Sequence, residues 1–170
     1  MEYQISYLSP LGHVKKLADA FAEELPTTPE LCDLELESFC TAKIHLVGFE
    51  LSLNDTIPVK VMDFLGSLSG MTVFVFATTP FVPNDAMWQQ VFRRVIPFIP
   101  DRCDFCGFHI CPAQPMLSML EGLKSRLAEE PNNSNARQWL EQCERAVGRP
   151  NEEDIIKSCD FMRHVLRLQK

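Results

Sequence analysis

The stretch Ile5-Ser6-Tyr7-Leu8-Ser9-Pro10-Leu11-Gly12-His13-Val14-Lys15-Lys16-Leu17-Ala18 decides the fold. With Gln4 in front, its first residues read as a short strand. Ser9-Pro10-Leu11-Gly12 stops that strand, because Pro lacks an N–H donor and Gly admits a tight turn. Beyond the turn, Val14, Leu17, Ala18, Phe21 and Leu25 recur at helical spacing, with Lys15, Lys16, Asp19, Glu23 and Glu24 on the other face. Pro26 and Pro29 end the helix. The opening is therefore strand, tight loop, amphipathic helix.

Further along, the same alternation repeats. Leu31 to Glu37 alternates apolar and acidic residues, as an edge strand with one wet face does. Ala42 to Phe49 is a third strand pattern, leading into a polar loop through Ser52, Asn54, Asp55 and Thr56. Pro58 then opens a helix with Val61, Met62, Phe64, Leu65 and Leu68 as its apolar positions. Met71 to Ala77 is apolar on both faces and belongs in the middle of a covered sheet. Asn84 caps the helix of Met87, Trp88, Val91, Phe92 and Val95. A fifth strand lies within Cys103 to Cys111. Two helical stretches follow, at 116–129 and 135–147, and Asn151 with Asp154 caps a last helix.

Strands alternating with helices predict a parallel sheet covered on both faces. In a five-stranded sheet of order 2-1-3-4-5 the winding reverses beside strand 1, and a ligand sits over the carboxyl ends of strands 1 and 3. The loops there are Ser9–Val14, Phe49–Ile57 and Thr78–Asn84.

The composition fits one such domain over residues 1–170. Lys+Arg number 16 against 23 Asp+Glu, a net charge of −7, and 46% of the residues are hydrophobic. A pI of about 5.1 excludes a nucleic-acid binder, which needs a basic face. No apolar run reaches the roughly 20 residues that span a bilayer. The first residues carry no signal-peptide pattern, so the expected location is the cytoplasm. The 7 cysteines are an odd number and are read as reduced thiols.

The opening residues Ile5 to Ala18, the Leu46-Val47-Gly48-Phe49 run ahead of Pro58, and Gly70 to Thr78 together resemble the flavodoxin-like family. So does the strand His109-Ile110-Cys111 with Pro112-Ala113-Gln114 behind it and a long helical tail. The resemblance implies a flavodoxin-like three-layer α/β sandwich with an extended helical C-terminus. It implies FMN as noncovalent cofactor and work as an electron carrier or an oxidoreductase component beside a redox partner protein. By the same resemblance Ser9, Pro10, Leu11, Gly12, His13 and Val14 hold the phosphate. Phe49, Glu50 and Leu51, with Thr78, Thr79, Pro80 and Phe81, frame the ring, and Cys111 lies nearby. Phe49 and Phe81 are stacking walls or side chains that pack under their loops, Thr78 and Thr79 donors to ring oxygens or caps of strand-end groups, and Glu50 and Asp55 part of an acidic partner-facing surface or of a solvated loop.

Backbone N–H groups ahead of a helix suit a phosphate without any Arg. The family loop, usually [ST]-x-T-G-N-T, is altered here: Leu11 and Val14 stand where Thr is usual, and His13 where Asn is. Two lost donors weaken phosphate binding by about 3–6 kcal/mol, or about 10²- to 10⁴-fold. Gly12 keeps the tight turn, where a β-branched side chain is expected to crowd the phosphate. The alternative is a flavin-free binding or accessory module on the same fold.

Other groupings carry less. Cys103, Cys106, His109 and Cys111 do not read as a metal site: Cys106 and Cys111 differ by an odd number and face opposite sides of a regular strand. They are read as small buried thiols of a central strand, and no metal is expected. His164 is placed on a solvent-facing helix position. No G-x-S-x-G, P-loop or H-E-x-x-H pattern occurs.

Overall fold

A computed structural model describes residues 2–39, 41–51 and 56–168. Five strands, β1 (Tyr3–Leu8), β2 (Glu30–Asp33), β3 (Ile44–Glu50), β4 (Thr72–Thr79) and β5 (Asp104–Pro112), pair in parallel in the order β2-β1-β3-β4-β5. The expected winding is therefore observed. Six α-helices occur among the described residues: α1 (His13–Glu24), α2 (Val59–Ser67), α3 (Asp85–Val95), α4 (Leu117–Glu129), α5 (Ser134–Arg145) and α6 (Glu152–Val165).

Two cores flank the sheet. On one face Val61, Phe64 and Leu65 of α2 and Val91 and Val95 of α3 pack on Val47, Phe49, Val73 and Val75. On the other, Val14, Leu17 and Phe21 of α1 and Met162 of α6 pack on Ile5, Leu46, Phe74 and Phe76. Strand residues alternate between these cores because successive side chains point to opposite faces. Gly48 is the tightest point. A Cβ there would meet the Phe76 ring at 2.3 Å and Val14 Cγ1 at 2.7 Å, so the missing side chain lets α1 settle onto β3.

Helix starts at Asn84 and Asn151 follow the capping chemistry read from the sequence, and Asn133 adds a third cap at a position the sequence pattern places in the break between two helices. Asn84 accepts from Met87 N at 2.9 Å, Asn133 from Ala136 N at 3.0 Å, and Asn151 with Asp154 forms a full capping box. None of the helices among the described residues is long and apolar enough to cross a membrane.

Two elements depart from the sequence expectation. β2 has four residues where alternation over Leu31–Glu37 predicts seven. Asp33 ends it: its carboxylate accepts from Glu35 N at 2.9 Å, its carbonyl accepts from Leu36 N and Glu37 N, and the chain curls into a turn. β5 is an edge strand, and its pairing with β4 slips by one residue where Val73 faces Phe105 but Phe74 faces Gly107. The extra residue is Cys106, a β-bulge that resets the alternation. Cys106 and Cys111 consequently pack toward the same core, beside α1 and α6, and not on opposite faces.

Candidate functional site

The loop after β1 builds a nest of donors. Gly12 has φ +85°, in the left-handed region open to glycine, and Gly12 N closes the turn onto Ser9 O at 3.2 Å. A positive φ between ordinary residues turns the flanking N–H groups toward one concave point at the start of α1. This is the place where the family resemblance leads one to expect a phosphate.

A side chain of the protein itself fills the nest. The β1–β3 register pairs Leu8 with Phe49. Glu50 therefore stands beside Ser9, and alternation from Gly48 turns it to the α1 face. Its carboxylate accepts from Ser9 Oγ at 2.9 Å, from Leu11 N at 3.1 Å and from His13 N at 3.2 Å. Ser9 Oγ also accepts from Lys15 N at 3.0 Å, which locks the hydroxyl in place. Each bond to a carboxylate is worth about 1.5–3 kcal/mol, and the positive end of α1 adds about 0.3–1 kcal/mol. Glu50 is thus an inward anchor here, where sequence reasoning puts it on a partner-facing surface or in a solvated loop.

Beside the nest a cavity of about 470 Å³ opens at the carboxyl ends of the strands. Pro10, Leu11 and His13 bound it from the β1 loop, Glu50 and Leu51 from the end of β3, and Thr78, Thr79 and Pro80 from the end of β4. The remaining wall, Ala113 to Met116 with Met119, comes from the end of β5 and the start of α4. Leu51 N donates to Thr78 O and Ala113 N to Thr79 O, both at 2.8 Å, so the sheet ladder continues into the cavity floor. The walls are mostly apolar, and no Lys or Arg is among the described lining residues. One polar group stands out. Thr79 is only 1% exposed, and its Oγ1 has no hydrogen-bond partner among the described residues.

The residues expected at the site divide accordingly. Eight of them, Pro10, Leu11, His13, Glu50, Leu51, Thr78, Thr79 and Pro80, line the cavity, while Ser9 and Gly12 shape the nest. Four others, Val14, Cys111, Phe49 and Phe81, lie elsewhere. Val14 and Cys111 are buried in the α1–α6 core, and Phe49 is fully buried under α2. Strand alternation decides this for Phe49: with Glu50 facing α1, its neighbour faces the other layer. Phe81 lines a separate groove with Met87 and Trp139, so neither expected stacking wall reaches the cavity. Of the polar loop, residues 52–55 lie outside the described residues. Sequence reasoning missed Gln114, Met116 and Met119. The signal for them was their place just past the last strand, at the same edge of the sheet as the three loops it did select.

This arrangement does not fit the terminal phosphate of FMN. The Ser9 hydroxyl and both nest amides are already committed to a carboxylate. A second anion beside that carboxylate would meet like charge, with no Lys or Arg among the described lining residues to offset it. No Phe, Tyr or Trp stands among the described lining residues to cover a flavin ring.

The thiols are quiet. Six described cysteines are free. Burial pushes Cys106, Cys143 and Cys159 up to about 11 and Cys111 up to about 12, so all four stay protonated near neutrality. Among the described residues no three His, Cys, Asp or Glu side chains gather as a metal site. His164 is exposed on α6.

Comparison with known proteins agrees with the architecture. The flavodoxin of Streptococcus pneumoniae TIGR4 superposes with a TM-score of 0.59 at 16% identity, over 98% of this chain and 99% of that one. Oxidised Flavodoxin 2 from Bacillus cereus gives 0.55 at 13% identity, again over 98% and 99%. A short-chain flavodoxin associated with a bacterial microcompartment gives 0.57 at 14% identity, over 98% of each chain. At these identities the likeness is one of fold. No curated protein matches the sequence. The family model described as a flavodoxin domain matches residues 4–163, and the chain belongs to that family.

Proposed function

We propose that this flavodoxin-family protein is a small-molecule binding module. In this reading the cavity over the carboxyl ends of β1, β3 and β4 takes an uncharged, largely apolar ligand and not a tightly held FMN. One observation carries the reading: the Glu50 carboxylate sits on the Ser9 hydroxyl and on the Leu11 and His13 amides. The volume of about 470 Å³ is within the range of about 300–1,000 Å³ common to small-ligand pockets. Apolar walls from Leu51, Pro80, Pro115, Met116 and Met119 suit such a ligand.

Family membership over residues 4–163 favours a second reading, an FMN-holding electron carrier acting with a redox partner protein. That reading requires Glu50 to leave the amides. Purification with visible absorption separates the two. A colourless protein that releases no heat on titration with FMN supports the binding module. A yellow protein that keeps its flavin spectrum through gel filtration overturns it in favour of the electron carrier.

A further inference from the structure

We propose that Glu50 is the specificity-determining residue of the cavity: its carboxylate substitutes for the terminal anion of a phosphorylated ligand and so excludes such ligands. The inference rests on the phosphate-free reading above, and goes further by making a nest that still binds phosphate once Glu50 is removed.

Three features support it. First, the nest keeps its donor geometry. Gly12 holds the left-handed turn, and Ser9 Oγ, Leu11 N and His13 N converge on one anionic group. The structure therefore has an anion site, filled from within. Second, the occupant is tethered. Glu50 is fixed by the β1–β3 register one residue past the Leu8–Phe49 pair, so its carboxylate competes at the high effective concentration of an intramolecular group. Third, displacement is disfavoured twice. An incoming phosphate must evict the carboxylate and then lie near it, in a cavity without a lysine or arginine on its described walls. An uncharged ligand faces neither obstacle. For it the apolar walls remain available.

The experiment uses the full chain and Glu50→Ala, with Glu50→Ser as a second variant should the first fold poorly. Backbone amide spectra are recorded during titration with inorganic phosphate. Affinities for FMN and for riboflavin, the same ring system without the phosphate, are measured in parallel. In the wild type, phosphate is expected to leave the Leu11 and His13 amides unmoved, with FMN binding no tighter than riboflavin. In a folded Glu50 variant, phosphate is expected to shift both amides saturably. The preference for FMN over riboflavin should rise at least about tenfold, as two or more recovered charged hydrogen bonds imply. A wild type whose amides respond to phosphate and which prefers FMN overturns this proposal and the binding-module reading together. A wild type indifferent to phosphate, with folded variants equally indifferent, overturns the role of Glu50 alone and leaves that reading intact.

Discussion

Gly48 and Phe76 are register partners on adjacent strands, and the Phe76 ring lies where a side chain of residue 48 would be, 2.3 Å from an ideal Cβ. The ring has no retreat, since Phe21 stands 5.0 Å and Phe74 6.2 Å from it, centroid to centroid. Gly48→Ala is therefore expected to destabilise the protein by about 1–3 kcal/mol, as overpacking of a dense core does. Denaturant unfolding checks it, and an unchanged midpoint would contradict the contact.

Gly12 needs its glycine for a different reason. An added Cβ would meet no protein atom within 4 Å, so within the protein itself the φ of +85° is the constraint. Gly12→Ala should cost about 1–2 kcal/mol from backbone strain alone. Gly12→Asn should cost less than Ala, because Asn tolerates the left-handed region, although its side chain is larger. Thermal unfolding of the two variants ranks them, and crowding would give the reverse order.

Thr79→Val is expected to stabilise the unliganded protein by about 1 kcal/mol, since a methyl replaces a buried hydroxyl that has no partner. Loss of stability in the valine variant would mean the hydroxyl is bonded after all.

Stability should fall as the solution is acidified through the histidine range. Burial lowers His109 from 6.5 to about 4 against a raising influence from Asp154, and burial also lowers His45. Between these native values and 6.5 the unfolded chain binds more protons than the native one, so acid favours unfolding. For His109 the loss builds from about pH 6.5 down to about pH 4 and reaches about 3 kcal/mol. Replacing His109 by Phe should flatten the slope of unfolding free energy against pH in that window.

Asp154 is buried, with its side chain 4% exposed, and it pairs with the Arg149 guanidinium while accepting from Asn151 N at 3.0 Å. Burial works to raise its carboxyl, but the Arg149 and Asn151 bonds outweigh it and hold the group below its ordinary value. The stabilisation from this pair is present above the unfolded value of 3.8 and lost as pH falls through the native one. Arg149→Gln strands the carboxylate and should cost about 3 kcal/mol at pH 7. The gap from wild type should narrow in acid, where Asp154 takes up a proton.

Most of the architecture was legible because it rests on periodicity and punctuation. The strand–turn–helix opening, the Asn caps at 84 and 151, and the doubly apolar Met71–Ala77 run each have a local cause in the residues themselves. The errors arose where a side chain overrides a pattern. Asp33 curls β2 away before its alternation ends, and the bulge at Cys106 resets the facing of every later residue in β5. At the site, the loop from Ser9 to Val14 was reached through the family resemblance and its place at the switch in strand order. The occupant of its donors was not, because Glu50 reaches them through the β1–β3 register, which no local pattern records. Once that register is known, parity alone sends Phe49 into the core and Glu50 to the nest.

The α4–α5 hairpin, whose two helices pack chiefly on each other and touch through Cys143 Sγ and Met119 Sδ at 3.6 Å, contributes a whole wall of the cavity through Met116 and Met119. Among the described residues, neither helix contributes to the two cores that flank the sheet. In the binding-module reading, substitutions there would redraw the ligand range while leaving both cores untouched, so descendants would diversify in taste by editing one peripheral appendage.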